Sequence, residues 1–258
     1  MIKFVLSCIF IVVGFFLLID RKSIVRDMEH TFQMVGSKVA FAEFPITIPT
    51  KEKLILNHIK VVNDFYNNYD NLEHFKAETS SFFESMGNDK EVSYSVACTI
   101  DKVVNDVIQA AHKETAWVSI RAFTRDKEYD VPRWHTDGYY FKPFKGLVHK
   151  IVFTLKGPAT LFYDMPEDVK RQFYKIGTSL RGHPKGREQI ARLVDASKIY
   201  QPKLYSGVIF IAGDKNAAAV HSEPPIHEDR LFISIVPGSK EQIQEWQEKC
   251  SKDDLPSL

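Results

Sequence analysis

Two histidines and one aspartate are the residues of this sequence best suited to hold a metal ion. His135 and Asp137 lie two positions apart in Arg133-Trp134-His135-Thr136-Asp137-Gly138, so on an extended chain their side chains leave from the same face. Two imidazoles and one carboxylate on one triangular face of an ion leave the opposite positions open. The pair therefore predicts a metal site, which needs a second histidine from elsewhere in the chain.

The second histidine is predicted to be His221. The spacing His-x-Asp also occurs at His227-Glu228-Asp229, but no histidine follows His227 to complete a set there. His221 follows the apolar Ala217–Val220, whereas His227 lies in a polar, proline-led connection that is typical of a turn. The sequence thus favours His135, Asp137 and His221 as the metal ligands.

Arg230 begins an alternating segment that is typical of a barrel strand. Arg230, Phe232 and Ser234 share one face of it, and isoleucine and leucine side chains fill the other. An arginine in an otherwise apolar strand is costly to bury unless a carboxylate meets it. A bound dicarboxylate would meet that need.

These residues together resemble the iron(II)/2-oxoglutarate-dependent oxygenases. The resemblance covers roughly residues 117–237, and a second, less specific likeness to a little-studied bacterial branch involves Leu155–Thr160 and Ala219–Pro225. The resemblance to the oxygenases implies a double-stranded β-helix, Fe(II) held by the two histidines and the aspartate, and 2-oxoglutarate held by Arg230 with Ser234. The implied reaction is oxidation, most simply hydroxylation, of an unknown substrate, with conversion of 2-oxoglutarate to succinate. No catalytic residue beyond the metal centre is implied.

Three further polar side chains are weaker candidates for co-substrate contacts: Thr160, Tyr163 and Tyr139. Two other functions remain open at this stage. The first is a non-catalytic, cupin-like barrel that binds a metal or ligand, for which we expect a blocked pocket or an Arg230 that faces solvent. The second is a zinc hydrolase that uses the same three ligands.

The order of helical and strand-like patterns predicts an α+β fold. Apolar residues at three- and four-residue spacing indicate helices within residues 51–113, and short alternating segments indicate a jelly-roll, cupin-like barrel over 117–237. Residues 166–197 interrupt the strands as an insertion, and a C-terminal helix is predicted over 239–250. Residues 51–258 are therefore expected to form one domain, preceded by a connector at 23–50.

The first 22 residues have a different composition. Phe4 to Ile19 is an unbroken apolar run, which predicts a single-pass membrane anchor or an uncleaved signal, and hence a membrane partner. Arg21, Lys22 and Arg26 after the run favour a catalytic domain on the cytoplasmic side. The formal net charge of +1 gives no indication of nucleic-acid binding.

Overall fold

Two antiparallel sheets face each other in the computed structural model, which describes residues 22–143, 145–176 and 183–252. The larger sheet has the strand order β1-β7-β4-β9-β3-β2, and the smaller has the order β6-β5-β8. The strands are β1 (Phe41–Pro45), β2 (Asp64–Tyr69), β3 (Thr115–Phe123), β4 (Val148–Lys156), β5 (Leu161–Tyr163), β6 (Ile199–Tyr200), β7 (Ser206–Ala212), β8 (Val220–Ser222) and β9 (Arg230–Gly238).

Helices pack against both sheets. Those before residue 113 contribute to the main core on the outer face of the larger sheet, the two after β5 pack with the smaller sheet, and the last packs against Trp117 and Val236. Their bounds are α1 (22–34), α2 (Thr50–His58), α3 (Leu72–Ser85), α4 (Lys90–Ala110), α5 (Glu167–Lys175), α6 (Pro184–Ala191) and α7 (Lys240–Lys252). The longest, α4, buries Val96, Ile100, Val103 and Val107, a spacing that places all four on one helical face. That face contributes to the main hydrophobic core.

Alternation along the central strands separates this core from a cavity. In β9, Leu231, Ile233 and Ile235 pack into the main core, while Arg230, Phe232 and Ser234 line a cavity on the other face. The neighbouring strands β3 and β4 alternate in the same way, because side chains in a strand point to opposite faces in turn. The larger sheet is therefore apolar towards the helices and partly polar towards the smaller sheet.

The arrangement is consistent with the α+β jelly roll expected from the sequence, but some elements differ. Residues 51–86, expected to be helical, are interrupted by β2, which pairs with β3 at the edge of the larger sheet. Residues 23–50, expected to be a connector, contain most of α1 and all of β1, and β1 pairs with β7. Both strands form through pairing with β7 and β3, a long-range contact that local propensity does not indicate.

The prediction of a membrane segment is wrong. Within the described residues, no helix combines the length and apolar character needed to cross a membrane. The helix at 22–34 instead turns Ile24, Val25 and Met28 into the main core. The apolar run at Phe4 to Ile19, on which the anchor, the membrane partner and the membrane location depended, lies outside the described residues.

Candidate metal centre

A short antiparallel pairing brings the two predicted histidines together. The backbone N–H of His135 donates to the carbonyl of His221, and the N–H of His221 donates to the carbonyl of His135, both at 2.9 Å. Directly opposed residues of an antiparallel pair project from the same face. Because His221 lies in β8, this pairing adds the segment around His135 to the edge of the smaller sheet and places both imidazoles on one side.

Asp137 completes a compact group with the two histidines. Its Oδ1 lies 3.7 Å from Nε2 of His135 and 3.6 Å from Nε2 of His221. One donor atom from each of the three residues lies within 4.8 Å of the others. The backbone carbonyl of Asp137 accepts a hydrogen bond of 3.0 Å from the N–H of Gly213, which attaches this residue to the end of β7. The arrangement could hold one metal ion.

Both imidazoles direct the same nitrogen towards the group. Nδ1 of His135 lies 2.7 Å from the carbonyl oxygen of Arg133, and Nδ1 of His221 lies 3.1 Å from the carbonyl oxygen of Ala219. A carbonyl can only accept, so each Nδ1 donates its proton to a carbonyl, and each Nε2 is the nitrogen that faces Asp137. Burial, together with the nearby His135, lowers the pKa of His221 to about 4, which keeps its imidazole neutral.

Lys150 neutralises the carboxylate that sits between the histidines. Its Nζ donates to Oδ2 of Asp137 at 2.9 Å and to the hydroxyl of Tyr140 at 3.1 Å. Burial alone would raise the pKa of Asp137, but the charge of Lys150 and the two imidazoles outweigh it and hold that pKa far below its usual value. Asp137 is therefore ionised, with Oδ2 held by lysine and Oδ1 turned to the histidines.

Arg230 is buried at the start of β9, with 1% of its surface exposed. Its Nε donates to the carbonyl of Pro158 at 2.9 Å, and Nη2 donates to Oγ1 of Thr160 at 3.2 Å. The guanidinium carbon lies 4.5 Å from the ring centre of Phe232. Burial lowers its pKa to about 10, so the group stays protonated near neutral pH. No acidic side chain among the described residues forms an ion pair with it.

The cavity beside the metal-binding group measures about 430 Å³. Arg230, Ser234, Thr160 and Tyr139 line it together with the three candidate ligands. Tyr163, also named from the sequence, packs against Trp134 in a separate hydrophobic cluster, and its hydroxyl accepts the backbone N–H of Asp195. Four of the five candidate co-substrate contacts thus reach the cavity, and the fifth is packed elsewhere.

Two site residues were not found from the sequence. Lys150 faces the cavity because side chains alternate along β4. A lysine in a predicted strand does not indicate which acid it will contact, so its bond to Asp137 could not be expected. Glu223 binds Arg133, with Nη2 to Oε1 at 2.6 Å, and its pKa falls to about 2 because His135 and Arg133 outweigh the burial that would raise it. The equal spacing of Arg133-x-His135 and His221-x-Glu223 could have indicated this pair.

Comparisons with known proteins give structural matches of low similarity. No family model matches, and no curated protein matches. A prolyl-4-hydroxylase from Pseudomonas putida has 9% identity and a TM-score of 0.40, covering 82% of this chain and 94% of that one. The Kdo hydroxylase KdoO, described as a non-heme Fe(II) alphaketoglutarate dependent dioxygenase, has 9% identity and a TM-score of 0.44. The match covers 92% of this chain and 93% of that one.

A dioxygenase for auxin oxidation in rice matches with 8% identity and a TM-score of 0.45, covering 84% of this chain and 78% of that one. Further structures of KdoO carry alphaketoglutarate with Fe(III), succinate with Fe(III), or cobalt(II). The predicted resemblance to iron(II)/2-oxoglutarate oxygenases, and the predicted pair of cofactors, agree with the names and bound groups of those proteins. Because identities and TM-scores are low, the case for this chain's own activity rests on its site.

Proposed function

We propose that this protein is an iron(II)- and 2-oxoglutarate-dependent dioxygenase that oxidises, most simply hydroxylates, an organic substrate. The observation that carries the proposal is one cavity lined by His135, Asp137, His221 and Arg230. Three donors of the required types face one point, and a buried cation without an acidic partner lies in the same cavity. A metal ion and a dicarboxylate would satisfy both.

The donor set fits iron(II). Two imidazoles and one carboxylate form the facial set that non-haem iron oxygenases use, and they leave coordination positions for a co-substrate and oxygen. The carbonyl groups of Arg133 and Ala219 fix the two imidazole rings, and Lys150 fixes the carboxylate. Such outer contacts hold ligands in orientation before the metal arrives.

The Arg230 pocket fits the far carboxylate of 2-oxoglutarate. The guanidinium uses one N–H for Pro158 and one for Thr160, and it has further N–H groups to donate. Ser234 lies two positions from Phe232 on the same strand face and lines the same cavity. A carboxylate here would pair with a charge that is costly to bury alone.

Iron(II) with 2-oxoglutarate and oxygen would supply the oxidising chemistry, in which 2-oxoglutarate loses carbon dioxide and becomes succinate. The chain's own residues perform binding and exclusion. Arg230 and Thr160 orient the co-substrate, the two histidines and Asp137 fix the metal, and the facing sheets restrict water. A cavity of about 430 Å³ is in the range for small-molecule sites and leaves space beside a five-carbon diacid.

The two other functions considered from the sequence have less support. A binding-only barrel was expected to have a blocked pocket or an Arg230 in solvent, whereas Arg230 is 1% exposed and lines an open cavity. A zinc hydrolase needs a general base beside the metal-bound water. Glu223, the remaining acid of the cavity lining, already binds Arg133 through both of its oxygens.

The proposal is tested by following succinate formation from 2-oxoglutarate with purified protein, iron(II) and oxygen. We expect slow formation of succinate without a primary substrate. This turnover should be absent without iron and absent in the His221→Gln variant. The matched control is His227→Gln, because His227 is an exposed histidine that lies outside the cavity. Equal turnover by the wild type and His221→Gln would overturn the proposal.

A further inference from the structure

The cavity lining carries more basic than acidic side chains. Its two acids are both engaged, Asp137 with Lys150 and Glu223 with Arg133. Arg121 and Arg230 lie in the same lining and form no ion pair with any acidic side chain among the described residues. The proposed co-substrate has two carboxylates, one for the metal and one for Arg230. Arg121 is then left without a carboxylate of its own to pair with.

Arg121 is placed beside the co-substrate pocket by the register of the larger sheet. It lies in β3 directly opposite Phe232 of β9, and Phe123, two residues later, lies opposite Arg230. Arg121 is partly buried, and that burial lowers its pKa. Repulsion from Arg133 adds to the cost of this burial, and Glu223, which acts the other way, is already bound to Arg133 through both of its oxygens. A further anion beside Arg121 would therefore be stabilising.

The same cavity holds a second donor without an acceptor. Trp246 of α7 lines the cavity, and its indole N–H is buried without a hydrogen-bond partner among the residues that the structure describes. Trp246 packs against Trp117, which lies four positions before Arg121 on the same face of β3. Both features favour a ligand with hydrogen-bond acceptors over a purely apolar one.

We infer that Arg121 binds an oxyanion group, a carboxylate or a phosphate, of the primary substrate. The inference deepens the proposed function and rests on it, because it assumes that 2-oxoglutarate occupies Arg230. An acidic substrate bound in this way is held between Arg121 and the metal-binding group. Neutral molecules of the same shape lack the charge that Arg121 meets.

The test uses small anions as probes on protein loaded with manganese(II) and N-oxalylglycine, an unreactive analogue that fills the Arg230 pocket. Acetate and inorganic phosphate represent the two sources of an oxyanion, and acetamide is the neutral match for acetate. Manganese is paramagnetic, so a probe bound near it shows faster nuclear relaxation of its methyl protons or phosphorus. The stronger binder of the two anions indicates whether the substrate group is a carboxylate or a phosphate.

We expect saturable relaxation enhancement for at least one anion and none for acetamide. Arg121→Gln should weaken anion binding roughly 10- to 100-fold, as expected for a lost charged hydrogen bond. Arg121→Lys should retain part of it, and Arg125→Gln, which changes an exposed arginine outside the cavity, should leave it unchanged. Affinity for N-oxalylglycine should stay within about twofold in Arg121→Gln.

Three results would overturn the inference: no saturable binding of either anion, equal binding by wild type and Arg121→Gln, or a large loss of N-oxalylglycine affinity in that variant. The last would assign Arg121 to the co-substrate. Failure of the proposed function gives a different outcome, because wild-type protein would then not load with manganese and N-oxalylglycine. Anion binding to the metal-free protein, followed by tryptophan fluorescence, would in that case still report whether Arg121 is an anion site.

Discussion

Lys150 and Asp137 form an ion pair of 2.9 Å within the cavity, between side chains that are 14% and 12% exposed. Asp137 thereby has a positive partner before any metal binds. Replacing Lys150 with methionine leaves the carboxylate without that partner. We expect the free energy of unfolding of the metal-free protein to fall by about 2–3 kcal/mol, below the value for a fully buried pair because both groups keep slight exposure.

Manganese(II) should restore more stability to Lys150→Met than to the wild type, because the metal then supplies the positive charge that Lys150 no longer provides to Asp137. Chemical denaturation with and without manganese measures this difference. Lys156→Met is the control, since Lys156 contacts Asp229 at 3.8 Å near the surface, and we expect it to cost about 1 kcal/mol with no effect on the manganese response. Equal manganese stabilisation of Lys150→Met and wild type would contradict this account.

Arg230→Gln should separate co-substrate binding from metal binding. The variant removes the charge that we assign to the far carboxylate, so 2-oxoglutarate affinity should fall roughly 10- to 100-fold. Manganese affinity should change by less than about twofold, because Arg230 is not among the candidate ligands. Thr160→Val removes only the acceptor of Arg230 Nη2, so it should lower 2-oxoglutarate affinity by a smaller factor. Isothermal titration with each ligand provides the measurement, and parallel losses of both ligands in Arg230→Gln would refute the assignment.

Gly157 sets the position of the Pro158 carbonyl that holds Arg230. Its φ is +76°, and a Cβ there would lie 2.4 Å from the carbonyl oxygen of Asp229. Gly157→Ala should therefore shift the backbone and lower the free energy of unfolding by more than about 2 kcal/mol. It should also lower the affinity for 2-oxoglutarate. Gly87 has a similar φ of +83° but no atom within 4 Å of such a Cβ, so Gly87→Ala should cost only about 1–2 kcal/mol.

The comparison between the two alanine variants isolates the steric effect from backbone strain. Thermal denaturation gives the stabilities, and titration of 2-oxoglutarate gives the functional effect. Equal losses of stability in the two variants, with unchanged 2-oxoglutarate affinity in both, would show that the close approach of Gly157 to β9 does not position Arg230.

Protonation of His149 should make the free energy of unfolding depend on pH. Burial, with a smaller effect from Lys113, lowers its pKa below the ordinary 6.5, although a contact with the carbonyl of Val35 at 3.2 Å acts the other way. The unfolded chain then takes up a proton more readily than the folded one. The stabilising contribution is present above pH 6.5 and is lost as the pH falls below it.

Denaturant titrations about one pH unit above and one below that value measure the effect. His149→Gln should lose less stability than the wild type over this interval. An identical pH dependence for the two proteins would show that His149 has the same proton affinity in its folded and unfolded states.

The position of His135 and Asp137 on one face could be predicted because it depends on local alternation, whereas His221 was proposed from chain order and its apolar context. His135 and Asp137 are two positions apart, and Arg230, Phe232 and Ser234 follow the same rule in β9, so each group needed only an extended backbone. The partner of Asp137 could not be predicted in this way. Lys150 meets it through the packing of two segments, and sequence spacing carries no information on that contact.

The fold shows the same division between local and non-local signals. The strands β3, β4, β5, β7 and β9 lie within residues 117–237, where the sequence predicted a series of short strands. The edge strands β1 and β2 were missed because their stability comes from pairing with β7 and β3, and β2 also has helix-like apolar spacing. Tyr163 was named as a weaker candidate for a co-substrate contact, but its side chain packs in the cluster with Trp134.

The central claim is that His135, Asp137 and His221 hold iron(II) while Arg230 holds 2-oxoglutarate beside it. Anaerobic addition of 2-oxoglutarate to the iron(II)-loaded protein tests this directly, because chelation of iron(II) by the keto acid produces a visible metal-to-ligand absorption band. We predict a saturable band in the wild type, no band in Asp137→Ala, and a band in Arg230→Gln only at much higher 2-oxoglutarate. Absence of the band in folded wild-type protein at saturating iron and 2-oxoglutarate would contradict the claim.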